Sequence, residues 1–435
     1  MIEALRNALK LPDLRRRILY TVLILVIFRL ASNIPVPGVD RAALAAFFNS
    51  ASATSQLAGL LDLLSGGAVS NFSVLAAGVY PYVTASIVLQ LLLPIFPQLE
   101  QRIREEGEEG QRKMNQWTFY LTVPLAVLQA YGQAQLFSVG SAQPILPNFG
   151  WGAGNILPTI TVLLTMTAGT MFAVWLGELI SEQGIGNGLS LIILGGIVAR
   201  IPANLRSIAD SDGVFGVLIF AVITVLIVLF IVFVQEGERR IRVQYGKRVR
   251  GRKVYGGGST YIPLKVNTAG MIPMIFAQSI LAFPAVIAQF FVGSTNPAVQ
   301  NFSQNMVQFF SGSSPWYAPL YFLAVFGFTF FYTFVMIEQQ NLPETLQKQG
   351  GFIPGVRPGR RTEEFILGIY KRITLAGALF LGIIATLPFI IGLFMNTQQM
   401  LINSAGLLIV VGTIVDTMRQ LEAQLLMRHY EGFLR

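Results

Sequence analysis

Leu57-Ala-Gly-Leu-Leu-Asp62-Leu-Leu64 is followed by Ser65-Gly66-Gly67 and then by an apolar run from Val74 to Leu93, and the whole does not read as one membrane helix. A span needs about 20 apolar residues. The run from Val74 qualifies, although Pro81 interrupts it. The first piece is only about eight residues long, carries Asp62 and stops at a Gly-Gly pair, which breaks a helix. A half-helix is tolerated in a bilayer only where protein buries it or a water-filled cavity holds it. Two readings stand: a short helix seated in a cavity, or a surface helix ahead of an ordinary span.

The rest of the chain gives that stretch its setting. Of 435 residues 53% are hydrophobic and only 12% charged, and the mean hydropathy is +0.59. That composition excludes a soluble domain and indicates a polytopic membrane protein. Residues 1–17 set Ile2, Leu5 and Leu9 against Arg6, Lys10 and Arg15, the pattern of a helix lying in the interface, and no cleavable signal peptide is apparent. The chain has no cysteine, which excludes disulfides, thiolate metal sites and a cysteine nucleophile.

Ten spans are predicted, at 18–34, 74–96, 117–137, 155–179, 188–205, 214–235, 268–292, 316–338, 373–394 and 402–418. The segments between them alternate sides. One set (the N-terminus, 97–116, 180–187, 236–267, 339–372 and the C-terminus) holds 27 of the 31 Lys and Arg. The opposite side holds Arg41 and Arg206, with Arg200 at the outer end of the fifth span, and Arg29 lies within the first span. The positive-inside rule therefore places both termini in the cytoplasm. The expected fold is an all-α membrane protein of ten transmembrane helices in two inverted halves of five. The parts are an interfacial helix at 1–17, an N-terminal half at 18–213, a C-terminal half at 214–418 and a cytoplasmic tail at 419–435.

Two of the basic loops are unusual. In 236–267, Ile241, Val243 and Tyr245 alternate with Arg240, Arg242 and Gln244 before Gly246-Lys247, which predicts a projecting β-hairpin. Gly350-Gly-Phe-Ile-Pro-Gly-Val-Arg357-Pro-Gly359 is too rich in glycine and proline for a helix and suits a fixed turn. Such loops either dock an anionic partner or enforce topology and touch anionic lipid. Inside the spans no pair of carboxylates sits at mid-membrane, which weakens an ion-coupled transporter. Thr84, Gln90, Asn187, Asn267, Gln278 and Ser279 are uncharged polar residues, each able to hydrogen-bond between helices.

Trp175-Leu-Gly-Glu178-Leu-Ile-Ser-Glu-Gln-Gly184-Ile-Gly-Asn187-Gly188-Leu-Ser-Leu-Ile192 is not a phosphate loop, since no strand precedes it and no Gly-Lys-Ser/Thr follows. It reads as a tight turn between two helices whose glycines let backbones approach. The same segment closely resembles a signature of the SecY family of protein-conducting channels. So do Ser65-Gly-Gly-Ala68 leading to Gly78-Val-Tyr-Pro81-Tyr, the Gly355-Val-Arg357-Pro-Gly359 turn, and Val266-Asn267 through Pro273 to Phe283-Pro284. The likeness runs in order over essentially the whole chain.

The resemblance implies an hourglass pore closed at a ring of aliphatic side chains, here Val79, Val83, Leu189, Ile193, Ile275 and Ile409. Family members often carry isoleucine throughout that ring, and this chain mixes Val, Leu and Ile. It implies a plug over Leu57–Gly67, with Leu57, Leu60, Leu61, Leu64, Gly66 and Gly67. It implies a lateral gate with Thr84, Ile87, Gln90, Asn187, Ser279 and Phe283, where the helices at 74–96 and 117–137 face those at 268–292 and 316–338. Arg239, Arg240, Arg242, Lys247, Arg248, Arg250, Arg357 and Arg360 resemble docking positions for the ribosome and the SecA motor. SecE and SecG subunits, signal peptides, translocating polypeptides and anionic lipid complete the implied partners, in a bacterial inner membrane. No cofactor or metal is implied. Val79, Val83 and Ile87 recur every four residues and so share one helix face, a pattern that core packing also produces. No Walker-type loop is present, so energy must come from a partner and the chain is not expected to be an enzyme. A secondary transporter for small solutes, or a lipid scramblase or scaffold, are the competing readings.

Overall fold

The computed structural model describes residues 10–48, 62, 65, 67–93, 96, 103, 106–139, 145–150, 152, 154–245, 248–250, 253–255, 258–289, 291, 296–310, 314–340, 342–394 and 404–433. Of the predicted plug, Leu57, Leu60, Leu61, Leu64 and Gly66 lie outside the described residues, as does Lys247 of the basic loop.

Each of the ten predicted spans is met by a helix. They are α1 (Pro12–Ala31), α3 (Tyr80–Leu92), α4 (Glu108–Val139), α5 (Ile156–Gln183), α8 (Ile272–Gln289), α10 (Tyr317–Gln340), α12 (Arg360–Phe394) and α13 (Ser404–Phe433), with α6 (Gly188–Asp210) and α7 (Gly213–Glu236) between them. Gly213, at φ 68 and ψ −166, separates α6 from α7. Three shorter helices, α2 (Arg41–Phe48), α9 (Pro297–Phe309) and α11 (Leu342–Lys348), lie outside the predicted spans. Apolar side chains such as Leu19, Leu23 and Leu30 on α1 and Val214, Phe215 and Phe233 on α7 stay exposed. This is expected where hydrocarbon, not water, is the solvent.

The second predicted span begins later than its apolar run suggests. Residues 74–79 form turns, Gly78 takes φ 55, and Pro81 falls in the first turn of α3. A proline there lacks only an N–H that would have no helical partner, so Pro81 starts the helix and does not interrupt it.

Packing divides the chain into two compact units, Met1–Val217 with Gln278–Ala318 and Ile409–Arg435, and Leu218–Ala277 with Pro319–Leu408. In the first, Phe72, Phe137 and Phe47 anchor a core that also takes Val36, Leu44, Ile145, Val162 and Met166. The Phe72 and Phe137 rings meet edge-on at 4.9 Å.

The second unit holds the sheet. Strand β1 (Glu238–Tyr245) pairs antiparallel with β4 (Ser259–Lys265), placing Ile241 opposite Ile262 and Arg242 opposite Tyr261. Strand β5 (Gly351–Phe352) adds to the other edge of β1 at Gln244 and Tyr245. Strands β2 (Arg248–Arg250) and β3 (Lys253–Tyr255) pair antiparallel with Arg250 opposite Lys253, and the Gly246-Lys247 step lies outside the described residues. The alternation was legible as strand, but the hairpin does not project freely at its base. Ile241 and Val243 bury their face against Leu346, Ile353, Ile366, Ile369, Tyr370 and Ile373, because a strand with one apolar face must cover it.

Candidate functional site

The segment leading into α3 is organised by one buried carboxylate. Asp62 is 1% exposed and accepts the Ser70 amide at 2.6 Å. The Arg200 guanidinium, on α6, forms an ion pair with Asp62 and also donates to Ser70 Oγ. Ser65 Oγ donates to the Asp62 carbonyl at 3.2 Å and accepts the Val69 amide at 3.2 Å, while Ser70 Oγ meets the Gly67 carbonyl at 3.0 Å. Burial pushes the Asp62 carboxyl above its ordinary range, while Arg200 and the Ser70 amide pull it back.

Gly67 is required by this arrangement. Its φ is +93, and a Cβ there would lie 2.9 Å from Arg200 Nε and 3.6 Å from Arg29 Nη1. The absence of a side chain lets two guanidinium groups close on the segment.

A second feature joins α3, α4 and α8. Thr84, Ser279 and Phe283 line one small cleft with Tyr80, Pro81, Leu125, Leu128, Gln129 and Ala282, enclosing about 20 Å³, room for about one water. The Ser279 hydroxyl lies beside that of Tyr80, and Thr84 Oγ1 donates its proton to the Tyr80 carbonyl at 3.0 Å. Three of the six residues assigned to the seam from sequence are therefore brought together. The other three lie outside the residues lining this cleft. Ile87 is 1% exposed, Gln90 donates to Ser86 Oγ at 3.1 Å, and Asn187 Oδ1 accepts the Ser190 amide at 3.1 Å as the cap of α6.

Tyr80 and Gln129 belong to the cleft without having been singled out from sequence. Gln129 and Gln133, both buried on α4, are four apart and so share a face. Glutamine at helical spacing within an apolar span is the signal that would have found them.

The six aliphatic positions assigned to a ring are all wholly or partly buried. Val79, Ile193, Ile275 and Ile409 are buried, and Val83 and Leu189 are half-buried. Val79 caps α3 at φ −90. Leu189 reaches toward Gly177 of α5. Val79, Val83, Leu189, Ile193 and Ile409 belong to the first unit and Ile275 to the second.

On the sheet, Arg239, Arg240 and Arg242 are exposed. Arg240 Nη2 lies 2.7 Å from Glu238 Oε1, a solvent pair that contributes little to stability. Arg357 is exposed within the turn that runs from β5 to α12, and its carbonyl accepts Thr362 Oγ1 at 2.9 Å. Arg360 is exposed at the start of α12, 3.6 Å from Glu364. Arg248 and Arg250 occupy β2.

Comparison with known proteins gives the same picture along the whole length. The sequence profile of the SecY family matches residues 73–418. The protein translocase subunit SecY of Streptomyces scabiei is 41% identical, with 100% of each chain covered. That of Thermotoga maritima is 41% identical over 100% of this chain and 98% of its own. Among solved structures, a protein-conducting channel superposes with a TM-score of 0.63 at 16% identity, covering 94% of this chain and 92% of that one. Sec61 in a canine ribosome–channel complex from the endoplasmic reticulum gives 0.60 at 16% identity, with the same coverage.

Proposed function

The chain belongs to the SecY family, and on that premise we propose the roles its own residues play in conduction. It is a protein-conducting channel, a multi-pass membrane protein and not an enzyme. Polypeptides pass unfolded through an aliphatic ring made by Val79, Val83, Leu189, Ile193, Ile275 and Ile409. Apolar side chains offer no fixed hydrogen-bond partner, so such a ring passes any sequence without holding it, and it excludes water when empty. The plug is the segment Leu57–Gly67, seated on the non-cytoplasmic side. Two halves, 18–213 and 214–418, surround this path, with both termini in the cytoplasm and the chain in a bacterial inner membrane. The loop charges support that orientation.

The observation that carries the site reading is the cleft where Thr84, Ser279 and Phe283 meet. It supports reading the lateral gate between α3 and α4 on one side and α8 on the other. Through it an apolar segment leaves the channel by partitioning. Each Leu or Ile at mid-membrane contributes about −0.3 to −0.6 kcal/mol, and a charged residue costs about 2.5 to 3.5 kcal/mol. A gate held shut by a few kcal/mol is thus opened by the apolar core of a signal peptide. The chain has no cysteine, so a pair introduced at Thr84 and Phe283 is free of background. Closing that pair by oxidation or a short bis-maleimide is expected to block export, and reduction of the disulfide to restore it. Normal export with the link fully formed would remove the seam from this position.

Energy comes from outside the chain, and the basic face of the second unit is where we place its source. Arg240 and Arg242 are exposed, Tyr261 stands opposite Arg242, and Arg357 lies in the adjoining turn. Cations beside aromatic rings suit ribosomal RNA and also the acidic surface of the SecA motor. SecE and SecG would cover part of the exposed apolar helices, and anionic lipid would meet the remaining Lys and Arg. The paired change Arg242→Glu with Arg357→Glu is expected to weaken ribosome binding and to flatten its salt dependence by about one unit of log–log slope per lost phosphate contact. A slope equal to that of the unaltered channel would take these two residues out of the interface.

The competing small-solute transporter predicts an ion-coupling carboxylate. Among the described residues the only carboxylate side chain that is fully buried belongs to Asp62, and Arg200 already engages it.

A further inference from the structure

We infer that Asp62 and Arg200 form a latch that holds the base of the plug against α6, which makes Arg200 a positioning residue for the closed channel. The inference rests on the reading of Leu57–Gly67 as the plug.

Three observations converge on it. Asp62 lies inside the plug segment and is almost fully buried, yet its charge is met from a helix far along the chain by Arg200. The same guanidinium bonds Ser70 Oγ, and Ser70 in turn gives its amide to Asp62 at 2.6 Å, so the three groups close a loop around one carboxylate. Gly67 lies against the same guanidinium at φ +93, where a Cβ would stand 2.9 Å from Arg200 Nε. Serine pairs and turn bonds alone would also fold this segment. A buried charge bound across to another helix does something more, because it ties the position of the segment to α6.

The chemistry makes this a two-position device. A charge-assisted bond is strong while its partners are enclosed, and removing one partner leaves the other charge buried and uncompensated. When the plug leaves, Asp62 travels with it toward water, where its charge is solvated. Arg200 is itself a quarter exposed by side chain and remains on α6. Both separated ions thus find solvent in the open state, so the latch resists opening without forbidding it. An arriving polypeptide has to break one ion pair, and the empty channel keeps it.

The test uses the full channel complex reconstituted in planar bilayers, with resting ion conductance read in the absence of substrate. Asp62→Asn, Arg200→Gln and Gly67→Ala are each expected to raise resting conductance about tenfold, the shift that follows from losing one charged contact in a two-state equilibrium. Arg200→Lys keeps the charge but not the fork that reaches both Asp62 and Ser70, and is expected to leak less than Arg200→Gln and more than the unaltered channel. Because the two residues act as one unit, Asp62→Asn with Arg200→Gln together is expected to leak no more than either alone. A merely structural pair would lower the amount of folded complex without producing that pattern. The isosteric Asp62→Asn is the decisive variant, since it changes charge and hardly changes shape.

Deletion of residues 57–67 is the reference. If the deletion leaks and the single variants do not, or if their effects multiply in the double, the latch is overturned and the channel stands. If the deletion itself leaves the seal intact, the plug reading falls and the latch falls with it.

Discussion

Ile409→Asn is expected to raise the resting ion conductance of the reconstituted channel by about tenfold or more, with Ile275→Asn acting in the same direction. An Ile side chain withdraws about 1.5–3 kcal/mol of apolar surface from water, so replacing it with an amide favours a hydrated constriction by about that factor. Ile409 is 1% exposed and Ile275 8%. An asparagine placed in an ordinary core would instead cost stability and yield less folded protein, with no leak from what remains. Ile409→Val separates the two cases, because it keeps the site apolar and is expected to conduct like the parent. Unchanged conductance in both asparagine variants, measured on folded protein, would remove these positions from the ring.

What the sequence allowed and what it hid follow from the range of the interactions involved. The ten spans were legible because apolar length is a local property, and so was the alternation of Ile241 and Val243 with Arg240 and Arg242. The addition of Phe352 to the edge of β1 was not, since it joins residues more than a hundred positions apart and no periodicity encodes it. Helix α9 is hidden for a different reason. Its sequence, Pro297 to Phe309, is nearly half Gln, Asn and Ser, and Val307 with Met306 packs on Ala285 and Ala288. Pro81 looks like an interruption in the sequence because its place in the helix depends on where the preceding turns end. At the site, Thr84, Ser279 and Phe283 are placed by motif position and do share a cleft. Asn187, named for the same seam, accepts the Ser190 amide as the cap of α6, a contact that its type and position before Gly188 fit. The pairing of Asp62 with Arg200 was beyond reach. Opposite charges in a membrane seek each other, but only the packed helices decide which two meet.

Gly188→Ala is expected to be the most damaging glycine-to-alanine change among the described residues, reducing folded, monodisperse channel to about a tenth of the parental yield. A Cβ at Gly188 would stand 1.7 Å from the carbonyl oxygen of Gly177, and that obstacle is backbone. No rotamer change relieves it, so α5 and α6 must separate by more than about 1 Å. Overpacking of this kind costs about 1–3 kcal/mol where side chains can yield, and more where they cannot, against a total stability of only about 5–15 kcal/mol. The comparison is Gly327→Ala on α10, where nothing lies within 4 Å of the added methyl. That change is expected to be neutral or slightly stabilising, since alanine is the better helix former. Heat-induced loss of monodisperse protein in detergent reads both variants. Equal stability of the two would show that the tight crossing of α5 and α6 is not needed. The crossing matters beyond stability because Leu189 follows Gly188 directly and already reaches Gly177. The distance between these two backbones therefore sets where the first ring residue of α6 can stand, and a wider crossing would displace it even in whatever protein still folds.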